Sequence, residues 1–126
     1  MTALEKARQM ARQAIESMYE GVCKIEGYET YTDPNTHITR TRRVTICENQ
    51  PCKLSFEKLD AADQTDSVAT IAQGVKLFIA PELEIPAGCV ITVTQAGRTC
   101  TYSKSGQAAV YPTHQEIILA LDDEYA

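Results

Sequence analysis

The sequence predicts a mainly β protein, a small antiparallel β-barrel or sandwich of about six to seven strands that follows one N-terminal amphipathic α-helix. Three observations lead to this fold class. Apolar residues recur at helical spacing near the N-terminus, apolar and polar residues alternate along most of the remaining chain, and turn residues interrupt that alternation at short intervals. With 126 residues the chain is expected to form one domain, with a helix over 2–20, a β region over 22–121 and a polar loop at 60–73.

Composition and charge exclude several classes of protein. The net charge of -5 argues against a protein whose main task is to coat nucleic acid, because phosphate binding depends on Lys and Arg. No apolar run approaches the roughly 20 residues that cross a bilayer, and the opening "MTALEKARQM" does not have the form of an export signal. The sequence therefore predicts a cytosolic protein without membrane partners.

The N-terminal helix begins at a capping box, in which Thr2 and Glu5 each bind the other's backbone amide. One face carries an apolar stripe, called the α1 stripe below, and it consists of Leu4, Ala7, Met10, Ala11, Ala14, Ile15 and Met18. Packing on the domain's own sheet is the favoured use of this stripe, and docking on a neighbouring subunit is the alternative. Gly21 is expected to end the helix as its C-terminal cap.

A β-hairpin is predicted next, from "VCKIEGYETYT" and "HITRTRRVTIC", which are rich in β-branched and aromatic residues. The "DPNT" between them places Pro34 at the second position of a turn. Alternation then puts Arg40 and Arg42 on one face of the second strand and Arg43 on the other. The turn end is expected to be exposed.

This exposed end of the hairpin is the candidate subunit or docking surface. Its residues are Asp33, Asn35, His37, Arg40, Arg42 and Arg43. Direct contact with nucleic acid is the alternative use of the arginines, and the acidic charge of the whole chain disfavours it.

The remaining chain reads as strands joined by loops. Cys52, Leu54 and Phe56 alternate with polar residues in a strand that begins after Pro51, and a long polar loop follows at 60–73. Alternating strands are predicted in "VKLFIA", "CVITVT" and "TCTYS", with a tight turn at "QAGR", and the apolar "EIILAL" is expected to be a central strand.

No catalytic, metal or cofactor site is predicted. The five cysteines are odd in number and scattered, which argues against a disulfide framework and against a zinc site. Cys89 follows a turn glycine and leads into a strand, without a helix N-terminus or an assignable base to activate its thiol. His114 and Glu116 share a strand face without the spacing of a metal motif. The sequence does not indicate an enzyme.

The order of these segments resembles the head-closure, or head-tail connector, proteins of tailed bacteriophages and prophages. The resemblance is strongest over residues 46–121, where it includes a "KLFI" strand, an "I-x-x-G" turn, an "I-x-V" strand and a "G-R-x-Y" hairpin. Here those segments are residues 76–79, 85–88, 91–93 and 97–102. The chain departs from many members at Cys89, where they carry Asp.

The resemblance implies a structural protein of the virion that assembles as a ring, of about six or twelve copies, below the portal and adaptor. Such a ring retains packaged DNA, which it would approach without specific contacts, and offers a docking surface to the tail. Its location would be the virion neck, and the host cytoplasm during assembly. A channel-facing loop closes the ring in relatives, and the candidate gating residues here are Asp60, Asp63, Gln64, Asp66 and Gln73.

Two other functions are compatible with the same pattern. A tail-completion or tail-terminator protein would share the assembly logic and differ in its docking partner. A small OB-like barrel that binds single-stranded nucleic acid would need a basic groove with stacking aromatic residues, and this acidic chain has two Phe, six Tyr and no Trp.

Overall fold

The protein is mainly β, as the sequence predicts, and its strands form one antiparallel sheet that closes on itself. The computed structural model describes residues 1–58, 73–105 and 107–121. Helix α1 (Ala3–Glu16) precedes seven strands. They are β1 (Gly21–Thr32), β2 (Thr39–Lys58), β3 (Gln73–Ile79), β4 (Val90–Gln95), β5 (Arg98–Lys104), β6 (Ala109–Val110) and β7 (Gln115–Leu121). Within these ranges no helix has the length and apolar character needed to cross a membrane.

Closure of the sheet depends on β3, which pairs with β2 on one side and with β7 on the other. The hydrogen-bonded order is β3-β2-β1-β4-β5-β7, and the β3–β7 pairing joins the two ends. Short β6 pairs with the first two residues of β7, beside the β5–β7 pairing. Closure removes the two free edge strands that an open sheet of this size would have. Residues 39–51 of β2 nevertheless pair with β1 alone.

The interior of the closed sheet is filled by side chains from every second residue along each strand, those that point inward. Leu77 and Ile79 on β3, and Ile91 on β4, are fully shielded from solvent, which confirms the alternation predicted for both strands. The buried core also includes Cys23, Ile25, Cys52, Leu54, Ile85, Cys89, Val93, Tyr102, Ile117 and Leu119. The last strand is central, since β7 pairs on both of its edges.

Strand β2 is longer than the sequence predicts. A break was expected before Pro51, but β2 continues through it for 20 residues and pairs first with β1 and then with β3. Register shifts opposite Cys23, Ile25 and Glu26 mark two irregularities, and Asn49 adopts a φ of 53° there. Bulges bend a strand and increase its twist, so β2 can pass from one pairing partner to the next without a turn.

The predicted C-terminal cap of the helix is wrong. Helix α1 ends at Glu16 with Ser17 as its cap, while Gly21 is the first residue of β1. A Cβ at Gly21 would lie 3.0 Å from the Gln95 Oε1 atom and 3.2 Å from the Cys52 carbonyl oxygen. Gly21 is therefore required by close packing between β2 and β4, and this requirement depends on residues far away in the sequence.

Both predicted tight turns next to β4 are confirmed. Before the strand, the Cys89 amide donates to the Pro86 carbonyl (3.3 Å), and Gly88 has a φ of 85°. After it, Ala96 and Gly97 join β4 to β5 with φ values of 54° and 75°. Two consecutive positive φ values define the type I′ turn that matches the twist of antiparallel strands.

Replacing Ala96 by Asn should stabilise the protein. Alanine pays a steric penalty at positive φ that Asn largely avoids, so Ala96→Asn is expected to raise the free energy of unfolding by about 0.5 to 1 kcal/mol. Urea denaturation measures the change. Ala87→Asn is the control, since Ala87 is also exposed but is not among the positive-φ residues; an equal gain there would contradict the turn-specific explanation.

Candidate functional site

Two of the described elements extend beyond the closed sheet, and the first is the end of the β1–β2 hairpin. Strand β1 pairs with β4 only as far as Glu26, whereas its pairing with β2 continues to the Thr32–Thr39 pair. Residues 27–44, called the arm below, therefore form a two-stranded ribbon with no third strand. Every residue from Tyr28 to Thr32 and from Thr39 to Arg43 is exposed. The prediction of an exposed hairpin end is confirmed.

The tip of the arm is a five-residue turn organised by Asp33. The Asp33 carbonyl accepts from the His37 amide (2.8 Å), and its carboxylate accepts from the Asn35 amide (2.8 Å). His37 has a φ of 58°, and the Asp33 amide donates to the Ile38 carbonyl (3.0 Å) to resume the ladder. Asp33 thus has a structural role, while Asn35 and His37 are exposed at the tip.

One face of the arm carries Glu29, Tyr31, Arg40 and Arg42. The Arg42 guanidinium forms an ion pair with Glu29, with 2.5 Å between the Arg42 Nε and Glu29 Oε1 atoms, and lies 5.0 Å from the centre of the Tyr31 ring. Arg40 is the cross-strand partner of Tyr31. This face combines aromatic area with a guanidinium, which are the side chains enriched in protein interfaces.

The opposite face carries Arg43, as alternation predicted. Its guanidinium lies 3.8 Å from a Glu26 carboxylate oxygen and 5.8 Å from the centre of the Tyr28 ring. Two of the three arginines that could contact DNA are thus already paired with carboxylates of β1. Such pairing weakens phosphate binding, because each cation is partly neutralised before a phosphate arrives.

The second element is α1, whose stripe is largely uncovered. The exposed fractions of Leu4, Met10 and Met18 are 59%, 70% and 59%, and no residue of the helix is buried. The favoured prediction, packing of the α1 stripe on the domain's own sheet, is therefore wrong. An alanine-rich stripe offers little apolar area for that contact, and only the C-terminal end of the helix meets the sheet.

The helix is held at its C-terminal half by a cluster around Arg12. The Arg12 guanidinium makes a two-pronged ion pair with Glu82, in which the Nη2–Oε2 distance is 2.9 Å, and also binds Glu16 (3.2 Å). Hydrogen bonding to Arg12 lowers the pKa of Glu82. Burial raises the pKa of Tyr19 to about 12, and its hydroxyl has no hydrogen-bond partner among the described residues.

A groove of about 400 Å³ lies between this end of the helix and the outer surface of β2, β3 and β7. It is lined by Ile15, Met18, Tyr19, Lys53, Ser55, Phe78, His114 and Glu116. On its polar side the His114 Nε2 atom contacts Glu116 at 2.9 Å, and Lys76 contacts the same carboxylate at 3.2 Å. The hydrogen bond from His114 is the main cause of the lowered pKa of Glu116.

The sequence did not predict the groove. Phe78 was the available signal, since alternation on β3 places this aromatic residue on the outer face with Lys76. The shared strand face of His114 and Glu116 was predicted and is confirmed by their contact.

Cys89 is a core residue. Its exposed fraction is 2%, and burial raises the pKa of its thiol. A raised pKa reduces the thiolate that a nucleophile needs at neutral pH. This supports the structural role that the turn suggested, although β4 begins at Val90, one residue later than expected.

The predicted gating segment is not part of the described structure. Asp60, Asp63, Gln64 and Asp66 lie outside the described residues. Gln73 was assigned to the same loop, and this assignment is wrong, because Gln73 is the first residue of β3 and pairs with Lys58. The prediction ended the loop too late because Gln73 and Gly74 do not continue the apolar alternation of β3.

Comparison with known proteins gives limited similarity. No protein-family model and no curated protein matches the chain. Among solved structures, the chain is similar to the phage-like element PBSX protein xkdH from Bacillus subtilis, with a TM-score of 0.46 and 9% sequence identity. The alignment covers 83% of this chain and 95% of that chain.

Proposed function

We propose that this chain is a structural virion protein of a tailed phage or prophage, a head-tail connector of the head-closure kind. In this proposal it forms a ring of about six or twelve copies below the portal and adaptor, retains packaged DNA and offers a docking surface to the tail. Its partners are further copies of itself, the adaptor or portal, and tail proteins. It acts in the virion neck and is present in the host cytoplasm during assembly, without enzymatic activity.

The observation that carries the proposal is the contrast between the closed sheet and two described elements that remain exposed, the arm and the α1 stripe. The closed sheet buries its own core, whereas the arm and the α1 stripe expose aromatic, apolar and charged side chains to solvent. Exposed elements of this kind are typical of chains that assemble with others. The virion assignment comes from the sequence resemblance, whose four segments all lie in β3, β4, β5 and the turns beside them.

The arm is the proposed subunit or docking surface. The arm holds three guanidinium groups and two carboxylates, and Glu26 directly before it supplies a third carboxylate, so the charges of this region are balanced. A balanced surface with Tyr28 and Tyr31 suits a protein partner whose own charges alternate in sign. This favours a connector over an OB-like module for single-stranded nucleic acid, which would need an excess of positive charge.

Four of the candidate gating residues, Asp60, Asp63, Gln64 and Asp66, remain part of the proposal. Asp60, Asp63 and Asp66 give the segment that contains them an acidic character. Carboxylates that face a channel repel phosphate, so DNA would pass or rest there without adhering.

A tail-completion protein would use the same surfaces, and its position in the particle distinguishes it from a connector.

Immuno-electron microscopy of purified particles tests the location. Phage production is induced in the source organism, and particles are labelled with an antibody against this protein. Gold at the junction of head and tail is expected. Label at the far end of the tail would favour a tail-completion role, and intact particles without label would overturn the virion proposal.

Substitution of the arm tests the docking surface. In a strain that lacks the gene, the double variant Tyr31→Ala/Arg42→Ala is expected to yield at least about tenfold fewer infectious particles than the wild-type gene. Filled heads and free tails should accumulate, because the exposed arm contributes to docking and not to the core.

Arg98→Ala is the matched control for the arm. Arg98 is also an exposed arginine, but it begins β5 at the end of the closed sheet opposite the arm. Its variant should assemble normally. Equal loss of infectivity with Arg98→Ala, or full infectivity of the arm variant, would remove the arm from the proposed docking surface.

A further inference from the structure

We infer that the α1 stripe binds the α1 stripe of a second copy of this chain, as an antiparallel helix pair centred on Ala11. This contact belongs to the free protein and does not rest on the connector function. It would therefore form whether or not the chain is a component of a virion.

The first observation is that most of the α1 stripe is not covered by any part of the chain that the structure describes. Amphipathic helices of this length are marginal by themselves in water and owe most of their stability to packing of the apolar face. Here that face remains in solvent: Leu4 is 59% exposed and Met10 is 70% exposed. A partner that covers the stripe would supply the missing packing.

The second observation is that the stripe complements itself when it is reversed. It extends from Leu4 to Met18, and its midpoint is Ala11. In an antiparallel pair about this midpoint, Ala7 of one copy is level with Ile15 of the other. Leu4 then lies near Met18, which is in the turn that follows the other copy's helix. Small residues at the centre allow the two helices to approach to about 8 Å, and the larger residues pack near the ends.

The third observation is the charge beside the stripe. Arg8 and Arg12 are four residues apart and share one flank of the helix. In each copy Arg12 is shared by two carboxylates, those of Glu16 and Glu82, so this cluster has an excess negative charge. Antiparallel pairing places exposed Arg8 of one copy between the levels of Arg12 and Glu16 of the other. Arg8 of the one copy can therefore neutralise the excess negative charge around Arg12 of the other.

The groove continues the same surface. Ile15 and Met18 belong to the α1 stripe and also line the groove, beside Phe78. Leu4 of the second copy, which lies near Met18, can therefore insert into the groove, whose volume of about 400 Å³ exceeds that of a leucine side chain. A two-fold axis repeats the insertion in the other direction, as in the self-complementary interfaces of closed dimers. The occupant that fits both the stripe and its charges is a second copy.

Disulfide trapping tests the pairing and its register. In a Cys100→Ser background, which removes the exposed native thiol, Ala11→Cys places one new thiol on the two-fold axis. Oxidation by copper-phenanthroline and oxygen joins two thiols with loss of two electrons and two protons. A disulfide-linked dimer is expected on non-reducing gels at least about tenfold faster than for Ala7→Cys in the same background, since antiparallel pairing separates the two copies of residue 7 by about 12 Å.

Sedimentation velocity provides a second, independent readout. The Cys100→Ser protein is expected to change from monomer to dimer within the micromolar range, and Arg8→Glu should raise the dissociation constant at least about fivefold. Lys6→Glu is the matched control, because Lys6 carries the same charge on the other flank of the stripe. The helix has no buried residue, so the helix variants should keep the melting temperature of the Cys100→Ser protein.

The inference is overturned by three results. One is a protein that stays monomeric throughout the micromolar range. Another is trapping of Ala7→Cys as fast as Ala11→Cys, which would show another register or random collision. The third is an equal effect of Arg8→Glu and Lys6→Glu on the dissociation constant.

Discussion

Ile91→Ala is expected to lower the free energy of unfolding by about 3 to 4 kcal/mol. Ile91 is fully buried on β4, paired with Ile25 on β1 and with Tyr102 on β5. Truncation removes three buried carbon atoms and leaves a cavity that the sheet has little freedom to fill, since β4 is hydrogen bonded to β1 on one side and to β5 on the other. Such a loss is a large part of the stability of a domain of this size.

Urea denaturation of wild-type and variant protein measures this loss. Ile118→Ala is the matched control: the same truncation is made on β7, where the side chain is 57% exposed, and it should cost less than about 1 kcal/mol. A loss of similar size at both positions would contradict the assignment of Ile91 to the core.

Gln115→Glu is expected to be similarly destabilising at neutral pH, and its cost should depend on pH. Gln115 is 2% exposed, and its Nε2 atom donates to the carbonyl oxygens of Ala80 and Leu83, both at 2.8 Å. A carboxylate there would be buried and would face two acceptors, so a loss of about 3 kcal/mol or more is expected at pH 7.

The sign of the pH dependence follows from the preferred protonation state. The folded environment favours the neutral carboxyl, so the introduced group has a folded pKa above its unfolded value of about 4.3. Below the unfolded-state pKa, the introduced glutamate is protonated in both the folded and the unfolded protein, so no buried charge destabilises the fold. As the pH rises through the folded-state pKa, the buried carboxyl ionises and stability is lost. The deficit relative to wild type should therefore be smaller near pH 4 than at pH 7.

Denaturation at both pH values tests this, with Gln115→Leu as the uncharged comparison. The leucine variant loses the same two hydrogen bonds, and its deficit of about 1 to 3 kcal/mol should not change with pH. A glutamate variant whose deficit relative to wild type is the same at pH 4 and at pH 7 would show that the position is not shielded from water.

Local features of this chain could be predicted because their causes are local. The capping box at Thr2 forms as expected, with the Glu5 amide 3.1 Å from the Thr2 hydroxyl oxygen. Gly97 marks its turn because few other residues accept its positive φ. Alternation identifies the inward side of β3, β4 and β7, because side chains along a strand point to opposite faces regardless of the partner strand.

Other predictions failed where the deciding contact lies far away in the sequence. Gly21 satisfies the pattern of a helix cap, but its actual constraint is the approach of Gln95 and Cys52. Pro51 satisfies the pattern of a strand boundary, yet the neighbouring bulge lets β2 continue. Five of the six docking residues are exposed as expected, and Asp33 is half-buried. The pairing of Arg42 with Glu29 and of Arg43 with Glu26 required the β1–β2 register.

By itself, the sequence determined the fold class, the main turns and the inward-facing residues of the strands, because these depend on backbone sterics and on spacing along a few residues. The tertiary structure alone decided that β3 closes the sheet, that the arm extends past β4 and that the α1 stripe is left uncovered. Each of these depends on which distant surfaces meet. An apolar stripe in the sequence indicates that its burial is favourable. Only the three-dimensional arrangement determines whether another part of the same chain buries it.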